Sequence, residues 1–163
     1  MEEISNNSDH NKIATVLIVD DDPYVLEYVS SLLNEYGYSY IACRNAEEAF
    51  LRFQDSAIDA VLTDIKMPVF TGIDLLEKIY LAKPDVPVIL MTAHAEVDVA
   101  VDAIKKGAFD FIIKPYRSEQ LIHSVEKAVK YRRLSQKEKE YKKTLEETVE
   151  RRTRELREAL TML

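Results

Sequence analysis

The sequence predicts an α/β fold, a doubly wound parallel sheet of five strands alternating with five helices. Three observations predict it. Short apolar runs rich in Val, Ile and Leu recur along the chain, as in strands buried on both faces. Helical apolar spacing fills the stretches between them. Polar residues follow four of the runs: Asp20-Asp21-Asp22 after Thr15–Val19, Asp64 after Ala60–Thr63, Thr92 after Val88–Met91, and Lys114-Pro115 after Phe109–Ile113.

Residues 1–12, polar and acidic, read as a disordered leader. Residues 13–130 carry the alternating pattern, and residues 131–163 form a helical extension. After the first strand, Pro23 stands where a first-turn proline is tolerated, and Asp22 is the preferred cap of the helix. That helix buries Val25, Leu26, Val29, Leu32 and Leu33 and stops at Gly37. Ser39–Ala42 is the second strand, and Asn45 caps a helix over residues 46–53. The third strand delivers Asp64, and Lys66–Gly72 is a loop by its Pro and Gly. Ile73, Leu75, Leu76 and Ile79 mark the next helix, which ends before Pro84. Pro87–Met91 is the fourth strand. Val97, Ala100, Val101 and Ile104 give the buried face of a fourth helix, closed by Lys105, Lys106 and Gly107. The fifth strand leads to Lys114-Pro115, and Ser118 caps the last helix.

Composition narrows the function. The chain has 163 residues, 47% of them hydrophobic, enough for one core-bearing domain with some chain left over. Residues 1–125 carry 10 Lys and Arg against 21 Asp and Glu, a net of −11. Residues 126–163 carry 12 against 8, a net of +4. An acidic globular part argues against nucleic acid, whose phosphates need clustered cations. The basic tail interleaves its charges with Glu and reads as a solvated helix face. Cys43 is the single cysteine, so the chain has no internal disulfide, and its place at a strand end makes it a small core residue. Neither a signal peptide nor a bilayer-length apolar stretch is present, which places the expected location in the cytoplasm and not at a membrane.

Beyond Val129 the helical pattern continues without Gly or Pro to Leu163. Tyr131, Leu134, Tyr141 and Leu145 follow a heptad seam with Glu138 in one core position. Val149, Leu156 and Leu163 continue it displaced by one position, after the two four-residue steps Tyr141–Leu145–Val149, which form a stutter. Arg152 also falls in this seam. A lone polar helix of this length has little to stabilise it. The expectation is a parallel two-stranded coiled coil, hence a homodimer. A helix that frays or packs on a further domain is the alternative.

In open α/β sheets, ligands sit outside the carboxyl ends of the strands, so the four polar signals gather at one edge. Mg²⁺ is bound through one or two carboxylates with phosphate and water. Several carboxylates packed together without a cation force one of them to hold a proton. An aspartate carboxylate can form a covalent acyl phosphate. Lys114 can neutralise one phosphoryl oxygen and the Thr92 hydroxyl can donate to another. Singly, these residues have plainer readings as helix caps or a surface lysine. Their co-occurrence, in order, at four strand ends decides for a site.

Val19-Asp20-Asp21-Asp22-Pro23, Asp64-Ile65-Lys66-Met67-Pro68 with Gly72, Thr92-Ala93 and Lys114-Pro115 together resemble the receiver domain of two-component response regulators. The resemblance covers about residues 14–130. It implies a flavodoxin-like sheet of order 2-1-3-4-5. It implies that Asp64 is the phosphoacceptor, supplied by a sensor histidine kinase or a phosphotransfer protein. Asp21, Asp64 and the Lys66 backbone carbonyl would ligate Mg²⁺ (or Mn²⁺), with Asp20 acting through water. Thr92 and Lys114 would contact the phosphoryl group, and the Lys114-Pro115 bond would be cis. Phe111 matches the aromatic switch that moves with Thr92, and an ordinary strand aromatic is the competing reading. Its lack of a hydroxyl puts in doubt any partner contact needing one.

Lys66 and His94 each stand two residues beyond Asp64 and Thr92, which makes them candidates for tuning the lifetime of an acyl phosphate. The rival class is a phosphohydrolase of the haloacid dehalogenase type, which also uses an aspartyl phosphate. It needs an acidic pair after its lysine, and here the only nearby acid is Glu119. The tail resembles helical connectors that join receivers to output domains, so an effector domain or partner beyond residue 163 is expected.

Overall fold

The computed structural model describes residues 12–162, the side chain of His94 excepted. The expected leader at residues 1–12 lies outside the described residues up to position 11. Five strands and five helices alternate: β1 (Thr15–Val19), α1 (Pro23–Glu35), β2 (Ser39–Cys43), α2 (Ala46–Asp55), β3 (Ala60–Asp64), α3 (Gly72–Ala82), β4 (Val88–Ala93), α4 (Val97–Lys105), β5 (Asp110–Lys114) and α5 (Ser118–Thr161). A single 3-10 turn, His94–Glu96, links β4 to α4. The strands form one parallel sheet in the order β2-β1-β3-β4-β5, the order that the receiver resemblance implied.

Alternate strand residues feed two cores. Leu17, Val19, Val61, Val88 and Leu90 pack with Phe53 of α2, Leu75, Leu76 and Ile79 of α3, and Ala100 and Ala103 of α4. Val16, Ile18, Leu62, Ile89, Met91 and Ile112 pack with α1 and with Leu121, Ile122, Val125, Ala128 and Val129 of α5. Period-two alternation within near-continuous apolar strands is what a sheet covered on both faces requires.

Helix starts follow from local chemistry. The Asp22 carboxylate accepts from the Tyr24 N–H at 2.9 Å, and Asn45 accepts from the Glu48 N–H at 2.8 Å. α3 opens on a reciprocal capping box between Thr71 and Asp74.

Three local expectations need correction. In α4, Ala100 and Ala103 are the buried pair, whereas Val101 and Ile104 are 45% and 39% exposed. The helix lies close to the sheet on small residues, which turns the larger side chains outward. Ser118 is the first helical residue, not the cap. The Arg117 carbonyl accepts the Gln120 and Leu121 N–H groups and so holds the cap position. Thr92 and Ala93 belong to β4, because they pair with Ile113 and Lys114 across the ladder.

The chain divides into two compact units between Arg132 and Arg133. The first holds the sheet and its helices. At its end Tyr131 packs on Phe109, ring centroids 5.4 Å apart, and Arg132 pairs with Asp85. The second is helical, with Leu134, Tyr141, Leu145, Val149 and Leu156 exposed along its length. No helix among the described residues is long and apolar enough to cross a membrane.

Candidate functional site

The carboxyl ends of β1, β3 and β5 bring three carboxylates and one ammonium together. One oxygen from each of Asp20, Asp21 and Asp64 lies within 4.8 Å of the others. The Lys114 Nζ stands 3.2 Å from Asp20 Oδ2 and 3.4 Å from Asp64 Oδ1. Asp20 is 1% exposed, and its other oxygen accepts the Asp22 N–H at 2.9 Å. Asp21 is exposed and Asp64 half-buried. Strand parity explains the grouping. Asp20, Asp64 and Lys114 each stand two residues past a side chain of the α1/α5 core, namely Ile18, Leu62 and Ile112.

Three carboxylates facing one ammonium leave an excess of negative charge. Burial, helped by the neighbouring Asp20 charge, raises the Asp64 pKa above the usual carboxylate value, and Lys114 offsets only part of this. Burial likewise raises Asp20, against the opposing Asp22 N–H and Lys114. Such a set suits a hard divalent cation, which takes oxygen ligands and removes the repulsion.

A close backbone approach fixes the loop after β3. The Gly72 N–H donates to the Ile65 carbonyl at 2.9 Å, and a Cβ on Gly72 would stand 2.1 Å from the Asp64 carbonyl oxygen. Only glycine lets α3 begin this near to Asp64. In the loop Val69 adopts φ 67°, a conformation rare for a β-branched residue.

The other sequence-predicted residues fall as follows. Thr92 is buried at the end of β4, its hydroxyl donating to the Ala93 carbonyl at 3.0 Å. The Lys114-Pro115 peptide is cis. Phe111 is half-buried against the α2/α3/α4 core. Lys66 is exposed in the loop after β3. His94 begins the turn after β4, and its side chain lies outside the described residues.

The sequence reading missed Tyr116. Its phenol donates to Met91 Sδ at 3.8 Å, and burial with Tyr28, Asp20 and Asp64 nearby pushes it up to about 12. Met91 pairs with Asp64 across β3 and β4, so Tyr116 flanks the acidic cluster. An aromatic directly after Lys114-Pro115 was the available signal. A groove of about 780 Å³ between Tyr36 and residues Arg117–Glu126 holds none of the cluster.

Comparison with known proteins agrees with this architecture. The family model of the response regulator receiver domain matches residues 16–126. The chain is 36% identical over 121 residues to the transcriptional regulatory protein ZraR of Klebsiella oxytoca, covering 74% of this chain and 27% of that one. It is 34% identical over 121 residues to the response regulator protein TodT of Pseudomonas putida, covering 74% and 53%. A receiver domain structure from Clostridium thermocellum superposes with a TM-score of 0.72 at 32% identity, covering 74% of this chain and 98% of that one. The chain belongs to the response regulator receiver family and is a two-component signalling domain. It spans about a quarter to a half of the length of these two curated relatives. The dehalogenase-type reading gains no support, since Glu119 lies in the first turn of α5.

Proposed function

We propose that Asp64 accepts a phosphoryl group from a phosphohistidine on a sensor kinase or phosphotransfer protein. A carboxylate oxygen of Asp64 attacks phosphorus in line. The new O–P bond forms as the N–P bond breaks, and the electron pair returns to the imidazole of the donor. The observation that carries this reading is the convergence of Asp20, Asp21, Asp64 and Lys114 at one sheet edge, with Lys114 3.4 Å from the Asp64 carboxylate.

Asp21, Asp64 and the Lys66 carbonyl would hold Mg²⁺ or Mn²⁺, with Asp20 acting through water, and the cation would neutralise phosphoryl charge. Lys114, already poised between Asp20 and Asp64, neutralises a phosphoryl oxygen. The Thr92 hydroxyl leaves the Ala93 carbonyl to donate to another. That movement vacates space beside Phe111, whose ring follows, and Lys66 and His94 set how fast water cleaves the acyl phosphate. The C-terminal helix pairs with a second copy and carries the state of the receiver to an effector domain or partner after residue 163, in the cytoplasm. Five exposed apolar residues spaced along one seam support that pairing.

A kinetic series tests the reading. With an acyl phosphate donor and Mg²⁺, Asp64→Asn should abolish labelling. Lys114→Ala should slow it by about two orders of magnitude, as loss of one transition-state contact does. Thr92→Ala removes an uncharged contact, so it should slow labelling less than Lys114→Ala does and blunt the conformational response. Undiminished labelling of Asp64→Asn would refute the assignment. Lys66→Ala and His94→Ala should alter the rate of dephosphorylation, and unchanged rates in both would remove them from that role.

A further inference from the structure

Two charged residues in the seam of the C-terminal helix decide which way round a second copy pairs, given the homodimer proposed above. The seam from Leu134 runs through Glu138, Tyr141, Leu145, Val149 and Arg152 to Leu156. The helix is unbroken across it, and the five apolar members are 51–72% exposed. The steps are four, three, four, four, three and four residues, a pattern that reads the same in both directions about Leu145. The stutter is therefore a centre of symmetry. Pairing is geometrically allowed in either orientation, so charge must choose.

In a parallel pair related by a two-fold axis, each seam residue meets its own copy. Glu138 faces the partner's Glu138, Arg152 faces the partner's Arg152, and on the rim Lys137 approaches the partner's Lys142. Every one of these contacts is between like charges. In an antiparallel pair centred on Leu145, Glu138 faces the partner's Arg152 and Arg152 faces the partner's Glu138. Leu134 then packs on the partner's Leu156, and Tyr141 on the partner's Val149. The rim matches too, with Lys137 beside the partner's Glu155 and Lys142 beside the partner's Glu146. The competing contact of Glu155 within its own helix, with Arg151 at 4.0 Å, is exposed and weak. Reversing one helix turns each like-charge contact into an opposite-charge one without disturbing the apolar layers.

We infer that a second copy of this chain docks on residues 134–156 antiparallel, with the two-fold axis at Leu145, in place of the parallel pair that the apolar pattern alone predicts. Disulfide trapping in the whole chain tests orientation separately from dimerisation, and the one native cysteine, Cys43, is buried and silent. Leu145→Cys links in either orientation and so reports the dimer alone. Leu134→Cys and Leu156→Cys each link to themselves only in a parallel pair, and in a mixture of the two a bond joining position 134 of one chain to position 156 of another, identified by peptide mapping, forms only in an antiparallel one. The expected result is linkage of Leu145→Cys and of the mixture, with none in Leu156→Cys alone. Self-linkage of Leu156→Cys overturns the orientation, whereas failure of Leu145→Cys overturns the dimer beneath it. Charge reversal gives a second readout by sedimentation. Glu138→Arg or Arg152→Glu alone should weaken self-association about tenfold or more, and the double reversal should restore it. A double reversal that restores nothing contradicts the antiparallel pair.

Discussion

Gly72→Ala gives a direct measure of how tightly the fold grips Asp64. The added methyl would lie 2.1 Å from the Asp64 carbonyl oxygen and 3.0 Å from both Asp64 C and Ile65 Cα. All three are backbone atoms, so no side chain can turn aside to relieve the clash. The start of α3 must retreat from β3 by about 1 Å, which overpacking studies place at 1–3 kcal/mol. The retreat also strains the 2.9 Å bond from the Gly72 N–H to the Ile65 carbonyl, adding about 0.5–1.5 kcal/mol. Alanine's better helix propensity returns at most about 1 kcal/mol. The expected net loss is roughly 1–3 kcal/mol, read as a lower urea midpoint at unchanged slope. Because the displaced atoms belong to Asp64 itself, phosphorylation should slow by about two orders of magnitude, the sensitivity expected of a misplaced nucleophile. A variant with the parent's midpoint and labelling rate would refute this account of the glycine.

Three further outcomes follow from the same physics. Asp20 and Asp64 have folded-state pKa values above 3.8, so protonation favours the fold. Without a divalent cation their contribution to stability therefore falls as pH rises from about 3.8 through the raised values. Asp64→Asn should reduce that fall, and Mg²⁺ at a hundred times its dissociation constant should add about 2.7 kcal/mol. Urea unfolding across this range checks both, and a parent-minus-variant difference that grows with pH would contradict the sign. Arg132→Ala should cost about 2–4 kcal/mol, somewhat below a fully buried pair, because Arg132 and Asp85 keep 13% and 15% exposure. An unchanged midpoint would show that the pair contributes nothing. Burial pushes the Cys43 thiol up to about 11, so native protein at pH 8 should react with thiol reagents orders of magnitude more slowly than unfolded chain. Rapid labelling of the native protein would contradict that.

Strand runs were legible because a doubly covered sheet demands uninterrupted apolar residues, and polar residues can appear only where each strand leaves the core. Asp20, Asp64 and Lys114 stood out for that reason, and they meet within hydrogen-bond or ion-pair distance. The face of α4 was illegible by hydrophobicity. Val101 and Ile104 outrank Ala100 and Ala103 on any such scale, yet close approach to the sheet selects the small pair. Thr71 went unnoticed as a cap because its partner at the third helical position is Asp74, where Glu or Gln is the usual signal. Tyr116 was missed because its neighbours come from β3, β4 and α1, and no local spacing encodes that meeting.

Locating the phosphoryl group is the most direct test of the central claim, that the acidic edge makes Asp64 a phosphoacceptor. The protein would be treated with an acyl phosphate donor and Mg²⁺, digested, and mapped by tandem mass spectrometry after reductive trapping of the acyl phosphate. A single Mg²⁺-dependent modification on Asp64 is the predicted result. Modification at Asp20, Asp21 or elsewhere with Asp64 untouched would contradict it.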